Sequence, residues 1–280
     1  MRDQTITQPP SGSEARALEY IIALIYERCR IQLHLGKQQL IRSRLGKRMR
    51  HHGMQSLAEY CRFLQERADE EEFTHVVDAL TTNYTNFLRE EDHFRFMVEK
   101  ALPAVLPPGR RSFRVWSAAC ATGEEPYSIA FYLAEHFPLA QGWDWRILAT
   151  DISTRALAAA GAGVYPLDRA TGVPHDWLKR YCQRGVGEFE GQFRIKPAIA
   201  ERVAFQQVNL LGQYSFSNPF DLIFCRNVMI YFDRPTQEQL VNSLARCLVS
   251  GGCLLVGHSE SLNGLSVPFR CDRPSIYRKN

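Results

Sequence analysis

The chain has 280 residues, of which 45% are hydrophobic and 23% charged, and a formal net charge of +4. That is the make-up of a folded globular protein, long enough for one large domain or two smaller ones. No apolar run approaches the ~18 residues that span a bilayer, and the eight cysteines form no CxxC pair, which argues against a zinc site or a disulfide framework and for free thiols in a reducing cytosol.

Residues 1–13 lack the apolar core of a signal peptide and read as a disordered lead-in, so the protein is expected to be cytoplasmic. From 14 to 95, apolar residues recur every three or four positions (Leu18, Ile21, Ile22, Ile25; Leu57, Tyr60, Leu64), which predicts a small helical domain. Between Arg28 and Arg50 this domain carries eight basic residues, Lys37 among them, and no acidic one, before reversing into EEE at 70–72. Such a run is either a solvated helix face or a surface for an acidic partner. The Pro-rich stretch 96–112 reads as a linker.

Residues 113–280 alternate strand-like and helix-like segments. FRVWS (113–117) precedes a helix at about 123–137, and WRILATD (145–151) precedes one opening on Ser153. VAFQQVNL (203–210), FDLIFCRN (220–227), a helix from Pro235 to about Val249 stopped by Gly251 and Gly252, and GCLLVGH (252–258) follow. The pattern predicts a doubly wound, largely parallel α/β sheet. At about 181–205, short alternating pieces joined by glycines suggest a small antiparallel insertion.

The first βα loop, VWSAACATGEEPYSIA (115–130), is the prime ligand position in such a sheet. It lacks the GxGxxG pattern that lets a pyrophosphate approach backbone amides, and Gly123 is followed at once by Glu124 and Glu125. The two carboxylates could simply favour the helix N-terminus, at about 0.3–1 kcal/mol each. They could equally meet a ligand with cationic groups and no phosphate, which S-adenosylmethionine fits with its sulfonium, ammonium and ribose diol. Asp151, ending the second strand, stands where a carboxylate can accept from ribose hydroxyls.

TTNYTNFLREEDHF (81–94), WSAACATGEEPYSIA, ILATDIS (147–153), VNLL (208–211), FDLIFCRNVMIYFD (220–233) and GHSESL (257–262) together resemble the CheR-type chemotaxis receptor methyltransferases, from about residue 15 to the end. The resemblance implies a Rossmann-like methyltransferase sheet with a small all-α N-terminal domain and a small antiparallel β insertion. It also implies methyl transfer from S-adenosylmethionine, leaving S-adenosylhomocysteine, to glutamate γ-carboxylates on the cytoplasmic helices of chemoreceptors, with no metal. By the same resemblance, Asn83, Thr85, Arg89, Glu125, Asp151, Asn209, Leu210, Arg226 and Asn227 contact the cofactor. Arg89 and Tyr231 are the expected catalytic residues: Tyr231 matches a tyrosine that the family places near the sulfonium, and the Arg89 guanidinium can grip the incoming carboxylate. Arg44, Lys47, Arg48 and Arg50 would face the receptor's glutamate-rich region. The turn Arg184-Gly185-Val186-Gly187 resembles one that docks a receptor's C-terminal pentapeptide. Tyr84, Leu88 and Cys120 depart from the family's usual residues. A nucleic-acid methyltransferase is the first rival, but Arg226-Asn227-Val228-Met229 lacks the Asn/Asp-Pro-Pro-aromatic signature, and no nucleic acid is expected as partner. The second is a non-catalytic module that senses S-adenosylmethionine. No membrane insertion is expected, and monomer is the default state.

Overall fold

The computed structural model describes residues 14–33, 36, 38–81 and 83–280. The expected lead-in at 1–13, together with Lys37 and Thr82, lies outside the described residues. The chain divides into a helical unit, made of the described residues up to Thr81 with Tyr231–Asp233, and a sheet unit made of Asn83–Ile230 with Arg234–Asn280. None of the described helices is long and apolar enough to cross a membrane. All eight cysteines are free, six of them buried, with Cys271 exposed.

The helical unit contains α1 (Glu14–Cys29), α2 (Gln38–His51), α3 (Leu57–Glu66) and α4 (Glu70–Leu80). Ser56 caps α3 by accepting from Glu59 N, and Asp69 caps α4 by accepting from Glu72 N. The apolar stripes bury Leu18, Ile21 and Ile25 with Ile41, Leu45, Tyr60 and Leu64. Among the carboxylates buried in this unit, Glu72 accepts from Arg48, from the Tyr60 hydroxyl and, at 3.0 Å, from His52 Nε2. Burial alone would raise its pKa, but Arg48, Tyr60 and His52 outweigh burial and hold it down from 4.5 to about 2.

A carboxyl that titrates lower folded than unfolded stabilises the fold above the ordinary carboxylate range, and that contribution fades as pH falls toward 2. Glu72→Gln is therefore expected to cost the helical unit roughly 3 kcal/mol at neutral pH and almost nothing at the acid limit. Urea melts at descending pH check this, and a wild-type-to-variant gap that stayed constant down to pH ~2 would contradict the linkage.

The sheet unit opens with a loop leading to α5 (Asp92–Phe96), which continues through a π-helical turn (Met97–Ala101) into α6 (Leu102–Val105). This corrects the expected boundary at 95 and the expected linker at 96–112. Phe94, Phe96, Met97, Val98, Ala101 and Leu102 are buried in one core with Phe113 and Val115. Pro103 does not break this run, because it falls in the first turn of α6, where its missing N–H is tolerated after the widened π turn.

The strands are β1 (Ser112–Ala118), β2 (Asp144–Asp151), β3 (Val164–Pro166), β4 (Cys182–Arg184), β5 (Gln192–Ile195), β6 (Val203–Gln207), β7 (Phe220–Cys225), β8 (Leu248–Val256), β9 (Phe269–Arg273) and β10 (Ile276–Lys279). Between them run α7 (Glu124–His136), α8 (Thr154–Ala162), α9 (His175–Tyr181), α10 (Pro197–Ala200) and α11 (Arg234–Cys247). Seven strands form one sheet in the order β6-β2-β1-β7-β8-β10-β9. The first five pair in parallel, while β10 runs antiparallel to both β8 and β9. All six residues of β7 are buried, as a central parallel strand requires. The chain moves outward from β1 to β2 and β6, then returns to place β7 on the other side of β1, so the strand order reverses between β1 and β7. A crevice outside the carboxyl ends of those two strands is the ligand position of such sheets.

Two sequence expectations shift. The small antiparallel sheet, ordered β3-β5-β4, spans 164–195 rather than 181–205, and Val203–Gln207 is an edge strand of the large sheet. Gly251 and Gly252 lie inside β8 rather than ending α11. They fall where the β7–β8 register slips, and a Cβ on Gly252 would lie 2.8 Å from Asp221 O, so a bulge explains them.

Candidate active site at the sheet switch point

The β1–α7 loop owes its shape to left-handed residues at alternate positions, Ala119 (φ 66°), Ala121 (φ 49°) and Gly123 (φ 97°). Side chains rarely adopt this conformation, and such strain concentrates at functional loops. At 123 only glycine fits, because a Cβ would meet Tyr165 Oη at 2.7 Å and Ala160 Cβ at 2.8 Å. The loop is stitched to the end of β2: Cys120 N donates to Thr150 O at 2.8 Å, and Ala121 N to Asp151 Oδ2 at 2.8 Å. Asp151 Oδ1 accepts from Ser153 N at 2.9 Å, Ser153 caps α8, and Asn83 Nδ2 lies 3.4 Å from Ser153 Oγ. Beyond β6, Val208 N donates to Asp151 O at 3.0 Å, which brings Asn209 and the buried Leu210 beside the same carboxylate's strand end.

The two loop glutamates differ. Glu124 is buried and accepts from the Thr122 hydroxyl at 2.6 Å, and burial pushes its carboxyl above the usual range. Glu125 accepts from Ser117 Oγ at 2.7 Å and pairs with Arg226 at 3.0 Å. Its charge, expected from the sequence to meet a ligand, is shared in the structure with a buried guanidinium. Burial still pushes Glu125 upward against the pull of Arg226.

Arg226 is the centre of this knot. Its guanidinium also pairs with Glu90 at 3.0 Å, donates to Arg89 O and lies 5.4 Å from the Phe94 ring centroid. Burial works against the Glu90 charge, but Arg226, Asn227 Nδ2 at 3.3 Å and His258 N at 3.2 Å outweigh it and hold the carboxyl below its ordinary value. One cation between two carboxylates leaves the cluster acidic. Glu90, His93 and His258 offer ligand atoms within 4.8 Å of one another. Of these atoms, Glu90 Oε2 also accepts from Arg226 and from His258 N. Burial and Arg226 also push His93 down to about 4, which keeps it neutral at pH 7.

Arg89 stands between two left-handed residues, Leu88 (φ 56°) and Glu90 (φ 55°), and Leu88 N donates to Ser128 Oγ at 2.9 Å. The neighbouring acids are engaged elsewhere: Glu90 with Arg226, Glu91 with Arg95 and Tyr132, and Asp92 with His258. The Arg89 guanidinium rests instead on Tyr84 O at 3.0 Å and near the exposed Tyr84 ring. Among the described residues it is spent on a neutral carbonyl, not on a carboxylate.

The structure thus gathers Asn83, Thr85, Arg89, Glu125, Asp151, Asn209, Leu210, Arg226 and Asn227 in the sheet unit, most of them where the carboxyl ends of β1, β2, β6 and β7 lie. Thr85 is buried, and its carbonyl accepts from Arg169. Tyr231 groups with the helical unit, and its carbonyl accepts from Gln32 N at 2.9 Å. The basic helix needs correction. Arg44 donates to Leu80 O and Thr81 O, tying down the end of α4, and Arg48 neutralises Glu72, so both are structural. Arg42 and Arg28 pair with Glu14 and Glu70, while Lys47 and Arg50 remain exposed on α2. Arg184 ends β4, an outer strand of the small sheet. Gly185 cannot take a Cβ, which would lie 2.0 Å from Phe189 O; Val186 is exposed and Gly187 is left-handed. Sequence reasoning missed Glu90, Ser117 and His258 as members of the site, although Glu90 and His258 stand inside the quoted FLREEDHF and GHSESL stretches.

An open, mainly parallel sheet with a strained, acidic loop at its switch point, and no glycine-rich phosphate cradle, defines a doubly wound α/β ligand-binding domain. Comparison with known families sharpens this. The model described as CheR methyltransferase, SAM binding domain, matches residues 83–276, and the one described as CheR methyltransferase, all-alpha domain, matches 16–81. The chain belongs to the CheR methyltransferase family. It is 40% identical to a chemotaxis protein methyltransferase of Salmonella typhimurium, over 92% of this chain and 88% of that one. It is 41% identical to chemotaxis protein methyltransferase 2 of Pseudomonas aeruginosa, over 90% and 89%, and 36% identical to a chemotaxis protein methyltransferase of Borreliella burgdorferi, over 94% of each.

Proposed function

We propose that the chain methylates glutamate γ-carboxylates on the cytoplasmic helices of chemoreceptors, forming methyl esters in the cytoplasm. S-adenosylmethionine would supply an activated methyl on a sulfonium whose thioether leaves without needing a proton. A glutamate with an ordinary pKa near ~4.3 is ionised at neutral pH, so the chain needs no general base. Its residues have to position and desolvate, a contribution that reaches effective molarities of about 10⁵–10⁸ M in well-oriented systems.

The observation that carries this reading is Arg89, a guanidinium resting on the neutral Tyr84 carbonyl while every acid beside it is engaged elsewhere. Such a group exchanges a neutral acceptor for an incoming carboxylate, and charge-assisted bonds are about twice as strong as neutral ones. Asp151 takes the ribose hydroxyls, with Asn83, Thr85, Asn209, Leu210 and Asn227 around it. Glu90 and Glu125, sharing the single cation of Arg226, keep that side acidic overall, and the resemblance to the family gives Tyr231 the place beside the sulfonium. Lys47 and Arg50, exposed on α2, speed encounter with a glutamate-rich helix in a salt-dependent way. The β4 edge with its Arg184–Gly187 turn suits strand addition by a receptor's C-terminal peptide.

Incubation with methyl-labelled cofactor and membranes bearing chemoreceptors is expected to give label on the receptor that base releases, as an ester does. Receptors trimmed of their C-terminal pentapeptide should be labelled more slowly. Base-stable label would refute ester formation, and equal rates on trimmed receptors would remove the tether.

A further inference from the structure

Glu260 is buried, and no role above uses it. Its carboxylate accepts four backbone N–H groups, two on each oxygen. Oε2 takes Gly257 N at 2.6 Å and Asn227 N at 2.8 Å, while Oε1 takes Met229 N at 2.7 Å and Ile230 N at 3.3 Å. Three of these donors belong to the turn that leaves β7 at the switch point. Asn227 there has a left-handed backbone (φ 59°), so neither a sheet ladder nor a helix serves those N–H groups. The opposite turn is shaped to deliver the carboxylate: a Cβ on Gly257 would lie 2.4 Å from Asn227 Nδ2 and 2.9 Å from Glu260 Oε2. The next residue, His258, donates its N–H to Glu90, so one turn braces both the Arg226-bearing turn and the Arg89-bearing segment.

We propose that Glu260 is a positioning residue for methyl transfer, acting through the backbone of residues 227–230 to hold Asn227 where the cofactor binds. The proposal rests on the reading that this crevice takes S-adenosylmethionine. Only an ionised carboxylate offers acceptors on both oxygens. A glutamine turns an NH₂ group toward two of the four donors, leaving them buried without a partner. The turn then relaxes, and Asn227, held at a backbone conformation that side chains rarely adopt, is the first residue to move.

The test is calorimetric titration of the full chain with S-adenosylhomocysteine, alongside thermal melts and initial rates. Glu260→Gln is expected to bind about ten- to a hundredfold more weakly and to show a raised KM for S-adenosylmethionine with kcat at saturation largely kept. Wild-type affinity in a folded Glu260→Gln protein, whatever its melting temperature, would overturn the proposal, since a purely structural closure moves only the melt. Should that variant not fold, Glu260→Asp keeps both acceptor oxygens but draws them back from the four N–H groups by one methylene. A loss of affinity there supports the clamp, and wild-type affinity overturns it. A wild-type protein that bound no S-adenosylhomocysteine would instead remove the underlying assignment of the crevice, and the clamp with it.

Discussion

Arg226→Leu is expected to destabilise the sheet unit by about 3–5 kcal/mol and to abolish cofactor binding. The Arg226 side chain is 1% exposed, and its partners Glu90 and Glu125 are only 13% and 12% exposed. Deleting the cation leaves two carboxylates facing each other with no counter-charge, the costly way to break a buried pair. It also frees the Arg89 carbonyl and the face of Phe94. Lysine is a poor substitute, since one ammonium cannot reach Glu90, Glu125 and a carbonyl in the fixed fork that a guanidinium offers. Urea melts with titration of S-adenosylhomocysteine read both effects. Adding Glu90→Gln to Arg226→Leu should recover part of the stability, because one of the orphaned charges is then gone. A loss below about 1 kcal/mol, the size of a surface pair, would mean that the cluster is solvated and does not organise the site.

That cluster also shows where sequence reasoning reaches its limit. Local signals were legible: the strand–loop–helix at 112–136, the Ser153 cap, Asp151 at the end of its strand and the buried run of β7 all follow from spacing and residue type. What failed depended on partners far along the chain. Glu90 and Arg226 are 136 residues apart, and nothing in FLREED says which of its acids will be buried against an arginine. Arg44 and Arg48 share a helix face by their spacing, as a docking surface would, but that spacing cannot reveal that α4 brings two carbonyls and Glu72 to meet them. The prolines at 103, 107 and 108 punctuated the sequence as a linker, although the Phe and Met residues before them carry enough apolar surface to belong to the core. The Tyr231–Asp233 segment was likewise unreadable as part of the helical unit, where Tyr26 Oη donates to Asp233 Oδ2 at 2.8 Å.

Arg89→Ala is expected to lower methyl transfer at saturating cofactor by about 10²–10³-fold, the loss typical of removing one aligned donor from a reacting centre. The backbone there is already committed: left-handed residues flank Arg89, and its carbonyl accepts from the buried Arg226, so the alanine variant should fold and the loss should report on the guanidinium alone. Pairing with a guanidinium also draws electron density from the attacking oxygen, which opposes catalysis. Geometry should outweigh that penalty, because an in-line displacement by a weakly basic carboxylate depends steeply on the angle and distance of approach. Arg89→Lys separates the two effects. It keeps the charge and most of the inductive penalty but loses the fork, so it should fall well below wild type if alignment dominates and stay close to it if charge alone attracts the substrate. Single-turnover rates with receptor membranes give the comparison, and near-normal turnover in Arg89→Ala would assign the carboxylate grip to some other residue.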